Sequence, residues 1–139
     1  MASVTATVRN VVIERGPDDA RATAIGNLRR ATVYIDNNGG TAVAGGTDTL
    51  DCNLATAIED SVRDGMTVTV RTIAINQALT QQTTAGVETT FSGFAVLTSN
   101  TVAITPKTTG YVTGSTNGSI TASTPIVRPY GVYVAYTVA

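Results

Sequence analysis

The chain has 139 residues, 42% of them hydrophobic and 14% charged, with nine cations, ten acids and no histidine. That length fits one domain burying a single core, and so apolar a composition with so little charge excludes an intrinsically disordered chain. The missing histidine removes Ser-His-Asp and Cys-His nucleophile systems, two-histidine zinc sites and the usual general base near neutral pH.

Taken in chain order, Val4, Ala6 and Val8 alternate with Thr5, Thr7 and Arg9, and the pattern runs on to Ile13 before the turn Gly16-Pro17-Asp18-Asp19. Period-2 alternation of this kind predicts a half-buried strand. The first 28 residues, with Asp18, Asp19, Arg21, Arg29 and Arg30 around their end, form either an arm that packs elsewhere or an added strand. RATVYID follows as a strand with Val33 and Ile35 inward, closed by Asn37-Asn38-Gly39-Gly40, and Gly45-Gly46 is a second breaker. DCNLATAIEDSVRDG, residues 51 to 65, is the one segment with helical spacing. Leu54, Ile58 and Val62 share a face, Asp51 or Asn53 can accept from the first free N–H groups, and Gly65 suits a left-handed C-terminal residue. Glu59 and Arg63 make an i,i+4 pair.

TVTVRTIAI, residues 67 to 75, has Val68 and Val70 in one phase and Ile73 and Ile75 in the other. The change of phase implies a bulge or a strand whose far end is covered on both sides. FSGFAVLT, residues 91 to 98, is apolar on both faces and belongs inside a sandwich or at an interface. TVAIT at 101 to 105 alternates again. Within TTGYVTGSTNGSITAST, Asn117-Gly118 is a strong signal for a two-residue hairpin turn between YVT at 111 to 113 and SIT at 119 to 121. GVYVAYTV closes the chain as a core strand, with Val132, Val134, Tyr136 and Val138 on one face. The expectation is a single all-β domain over residues 1 to 139, a β-sandwich or barrel of seven to nine short strands with one short helix.

Charge is distributed unevenly. Seven of the nine cations and nine of the ten acids lie in the first 71 residues, and from Thr89 to Val127 the only charged residue is Lys107. Low charge near neutrality promotes association. The uncharged half is therefore either a hydroxyl-rich surface or one covered by a partner, and the second is favoured. The segment MASVTATVRN has neither the basic nor the continuous apolar region of a secretory signal, and no apolar run reaches transmembrane length, so the expected site of synthesis is the cytoplasm without membrane attachment.

The residues that carry chemistry elsewhere do not assemble into a motif here. Asp48, Asp51, Glu59, Asp60 and Asp64 form the one dense acidic group, but on a helix the last three read as solvated charges, not as a paired-carboxylate hydrolase. Asp48, Asp51 and Asn53 lack the alternation, mid-loop Gly and closing Glu of a calcium loop. Gly39-Gly40 and Gly45-Gly46 are turn glycines, since no Lys-Ser or Lys-Thr follows as in a phosphate loop. Arg29-Arg30 is too small a basic patch for nucleic acid. Cys52, the only cysteine, allows no intrachain disulfide and reads as a small hydrophobe. With no Trp, a sugar platform falls to Tyr133, which faces away from Tyr136 on the same strand, while Tyr130 lies just before that strand. The expectation is no enzyme, no catalytic, metal or cofactor site, no nucleic-acid partner and no membrane partner.

GGTDTLDCNLATAI, a following strand pair and the closing GVYVAYTV resemble the small decoration, or cement, proteins of tailed-phage capsids, over residues 31 to 139. The resemblance implies a β-domain, commonly a homotrimer, that binds the major capsid protein at subunit junctions on the capsid exterior and stabilises the head. Its contact regions would be Val4 to Ile13, Phe91 to Leu97 and the hairpin around Asn117. A tail, neck or fibre-base protein would share such a composition, and a carbohydrate-binding sandwich is the reading from another class.

Overall fold

A computed structural model describes residues 3–14, 28–43, 47–61, 67–75, 78–82, 88–106, 109–112, 119–121, 126 and 128–138. The strands are β1 (Ser3–Thr5), β2 (Thr7–Ile13), β3 (Arg29–Asp36), β4 (Thr49–Asn53), β5 (Val68–Ile75), β6 (Ala78–Gln82), β7 (Glu88–Thr98), β8 (Thr101–Pro106), β9 (Thr109–Val112), β10 (Ser119–Thr121) and β11 (Tyr130–Val138). One helix, α1, spans Leu54–Ser61. Eight strands make an all-β sandwich, a first sheet ordered β1-β4-β8-β7 and a second ordered β2-β3-β11-β5. The fold class expected from alternation is the one observed.

The core forms where the inward residues of both sheets meet. Leu50, Val102 and Ile104 come from the first sheet, Val33, Ile35, Val132 and Tyr136 from the second, and all are fully buried. At about 25 cal/mol per Å² of apolar surface, each fully buried side chain of this size is worth about 1.5–3 kcal/mol relative to exposure. α1 packs against β5, β2, β3 and β8 and adds Leu54 and Ile58 to that core. Asn53 caps it, its Oδ1 accepting the Thr56 N–H at 3.0 Å. Asp51, the other candidate cap, lies in β4, because Leu50 and Cys52 point inward opposite Ile104 and Val102 and extend the strand to the cap. The helix therefore begins three residues later than the spacing over 51 to 65 predicts, and Val62 and Gly65 lie outside the described residues.

The predicted bulge is present. β5 pairs with β11 as Thr72↔Ala135 and then Val70↔Tyr136, so Arg71 is the extra residue. It turns Ile73 and Ile75 onto the face of Val68 and Val70, and all four contact the core.

The N-terminal alternation is one pattern in sequence and two strands in space. β1 runs parallel to β4 in the first sheet, and after Ala6 the chain crosses to pair β2 antiparallel with β3 in the second. The Ala6 N–H donates to the Asp51 carbonyl at 2.9 Å at the crossing. A register shift between Val8 and Asn10 then makes Val11 and Ile13 the residues packed on the core and leaves Val8 and Val12 exposed. Thus Val8 does not share the buried face of Val4. The turn Gly16 to Asp19, with Asp18, Asp19 and Arg21, lies outside the described residues.

Beyond the sandwich, the N-terminal half of β7 pairs with β6 on one edge and β9 on the other, and β9 pairs with β10. This small antiparallel ladder, β6-β7-β9-β10, continues the first sheet. The β9–β10 pairing predicted from sequence is there, with Ser119 opposite Tyr111. The predicted turn at Asn117-Gly118 lies outside the described residues, as do all of residues 113 to 118.

Candidate interaction surfaces

Several of the described polar groups that sequence singled out for chemistry have a structural task. Asp51 sits on the first sheet, its Oδ2 accepting the Ser3 hydroxyl. Its Oδ1 is buried without a partner among the described residues. Asn53 is occupied as the helix cap. The Glu59 carboxylate, expected to be solvated, is half-buried and accepts the Val68 N–H at 2.8 Å, which ties α1 to β5. Asp60 is exposed as expected, and Asp64 and Arg63 lie outside the described residues. No group of three or more His, Cys, Asp or Glu residues comes together among the described residues. Cys52 is buried, and desolvation raises its thiol pKa from 9.0 to about 11, so it stays protonated and unreactive near neutrality.

The adjacent pair Arg29-Arg30 is split by the strand period. Arg29 is buried beside Tyr136, while Arg30 is exposed on the other face of β3. Burial raises the Tyr136 phenol, with Arg29 acting in the opposite direction, and burial followed by the Tyr133 charge pushes Tyr130 up to about 12. Arg9 forms an ion pair with Asp36 at 2.8 Å.

Two asparagines do work that the sequence signals did not reveal. Buried Asn37 accepts the Ile126 N–H at 2.6 Å with Oδ1 and donates Nδ2 to the Thr41 carbonyl at 2.6 Å. It thereby fastens the β3 turn to a segment 89 residues away. The turn itself needs glycine twice: Gly39 has φ of +81°, and a Cβ on Gly40 would lie 2.9 Å from the Asn37 carbonyl oxygen. Asn100, in the β7–β8 turn beside Ser99 at φ 55°, accepts the Leu54 N–H at its carbonyl and the Val70 N–H at Oδ1. Long-range partners of this kind leave no local pattern.

What remains for contact is surface. Large exposed hydrophobics include Val8, Val12, Val96 (54%) and Tyr133 (48%). Val12, Thr32, Tyr133 and Ala74 form one cross-strand row on the outer face of the second sheet. Beside them Glu14, Arg30 and Thr72 rim a shallow hollow of about 120 Å³. Val96 stands on the outer face of the first sheet opposite Ala103. In the N-terminal segment Val4, Ala6, Val11 and Ile13 pack in or on this chain's own core, while Val8 and Val12 are exposed. No helix among the described residues is long and apolar enough to cross a membrane. No protein-family model, curated protein or solved structure matches the chain.

Proposed function

We propose that the chain is a structural, non-enzymatic virion protein, a capsid decoration protein that binds the major capsid protein lattice from outside and stabilises a phage head. The observation that carries this reading is the β6-β7-β9-β10 ladder, a sheet that extends beyond the sandwich and whose strands carry one charged residue, Glu88, at the start of β7. Such a sheet offers hydrogen-bonding edges and little charge, which suits strand addition to a neighbour. Repeated over many copies, modest apolar burial at about 25 cal/mol per Å² reinforces a shell collectively. Cytoplasmic synthesis followed by assembly onto the capsid exterior, as a homo-oligomer with a trimer favoured, belongs to the same reading, and the resemblance of residues 45 to 58 and 131 to 138 to cement proteins supports it.

The test is to mix purified protein with expanded empty capsids of the source virus. Comigration with capsids and a higher rupture temperature are expected. Absence of binding, with self-assembly into tubes or stacked rings, would assign the protein to the tail or neck instead. Exposed Tyr133 beside its hollow favours carbohydrate binding as the second reading. That reading requires saturable sugar binding that Tyr133→Ala abolishes.

A further inference from the structure

Five asparagines lie among the described residues, and the fold treats one of them differently. Asn10, Asn37, Asn53 and Asn100 each use Oδ1 to accept a backbone N–H, from Val11, Ile126, Thr56 and Val70 in turn. Asn38 is exposed, and it bonds through its backbone N–H, which donates to Asp36 Oδ1 at 3.2 Å. Its side-chain amide is left to solvent.

The residue that follows matters as much, because an asparagine amide is a thermolabile group that the next backbone nitrogen can attack. A bulky side chain on that next residue shields the nitrogen. Val11, Leu54 and Thr101 follow Asn10, Asn53 and Asn100, whereas Asn38 is followed by Gly39. A Cβ built on Gly39 meets nothing within 4 Å, so the space beside this residue is open. Gly39, at φ of +81°, holds the third position of a β-turn closed by the Gly40 N–H donating to the Asn37 carbonyl at 2.7 Å. Residues 38 to 42 are all exposed, so this turn can rearrange toward an attack geometry without displacing the core.

We propose that Asn38-Gly39 is a site of spontaneous self-modification. The Gly39 nitrogen bonds to the Asn38 side-chain carbonyl carbon, the C–N bond of the amide breaks, and ammonia leaves with the Gly39 proton. Water then opens the resulting succinimide at either carbonyl, leaving aspartate or isoaspartate at position 38. No co-reactant other than water is needed, and neither step is redox. The isoaspartyl product routes the main chain through the former side chain, adding one atom to the ring that the Gly40 to Asn37 bond closes. Asn37 is the residue that holds Ile126 and Thr41, so a widened turn loosens that clasp irreversibly. This inference is independent of the capsid reading.

The test holds the purified full chain in mildly alkaline buffer, digests samples over time and separates the amide, aspartyl and isoaspartyl forms of the peptide containing position 38. The synthetic peptide IDNNGGTA, residues 35 to 42, supplies the rate without the fold. Conversion at Asn38 is expected on the time scale of that peptide, with Asn10, Asn53 and Asn100 unchanged and no isoaspartate at position 38 in Asn38→Ala. The isoaspartyl fraction, isolated by anion exchange, should unfold at lower urea than fresh protein, and Asn38→Asp, which adds charge without lengthening the chain, should fall less. An Asn38 that stays intact after the peptide has converted overturns the proposal, as does equal conversion at Asn10, Asn53 or Asn100. An unchanged urea midpoint for the isoaspartyl fraction overturns the loosening of the clasp.

Discussion

Replacing Asn37 by Ala tests how the sandwich is held at the end of β3. The substitution removes an acceptor from the Ile126 N–H and a donor from the Thr41 carbonyl, both at 2.6 Å. Thr41 is exposed, so water can replace the lost donor there. Ile126 is fully buried, and its N–H is left without a partner, at a cost of about 1–3 kcal/mol. Adding the lost packing of a buried side chain, we expect a loss of about 2–3 kcal/mol, a large part of the 5–15 kcal/mol typical of a domain. For a chain of this length that corresponds to a fall of roughly 6–12 °C in Tm. The assay is urea unfolding followed by circular dichroism, with a thermal melt alongside. Asn38→Ala, one position on and exposed, is the control and should change stability by no more than about 0.5 kcal/mol. If Asn37→Ala proves as neutral as Asn38→Ala, the hydrogen bonds to residue 126 do not hold this end of the fold and the argument fails.

Glu59→Ala should lose about 1–3 kcal/mol by stranding the buried Val68 N–H, Glu59→Gln should retain most of the stability because an amide oxygen can still accept, and Asp60→Ala should be nearly silent; urea midpoints distinguish these outcomes. Alkali should destabilise the fold. The Cys52 thiol and Tyr130 phenol have folded pKa values raised from 9.0 to about 11 and from 10.0 to about 12, so the unfolded chain releases those protons first. Their contribution is intact below pH 9 and lost as pH climbs through that window, and Cys52→Ala should delay the onset of the fall toward pH 10 in melts taken across the range. Arg71→Ala gives up one exposed hydrogen bond to Thr137 and should cost under about 1 kcal/mol, and deleting Arg71 should leave a cooperative urea transition, because Thr72 then follows Val70 in regular register with β11 and Val68, Val70, Ile73 and Ile75 keep the core face; loss of the transition would refute that reading.

The sequence by itself determined the features that depend on neighbours a few positions away. Alternation at 31 to 35, 101 to 105 and 131 to 138 identifies strands and their buried faces, because the side-chain period of a strand is two residues. The phase change across Arg71 reveals a bulge for the same reason, and Asn53 before Leu54 and Ile58 marks a helix start. The absence of histidine also limited the chemistry before any geometry was known. Only the tertiary structure decided what depends on distant partners. The apparently continuous strand from Val4 to Ile13 divides at Ala6 because β4 and β3 lie in different sheets. Strand β4 was hidden beneath a helical pattern, since it has just two inward residues, Leu50 and Cys52, and takes its register from β8 some fifty residues later. The register that pairs Ser119 with Tyr111 is likewise set along the ladder of β7, β9 and β10, and not by near neighbours in sequence. Local propensities amount to about 1 kcal/mol per residue, and ladder hydrogen bonds and core burial, summed over a strand, exceed them.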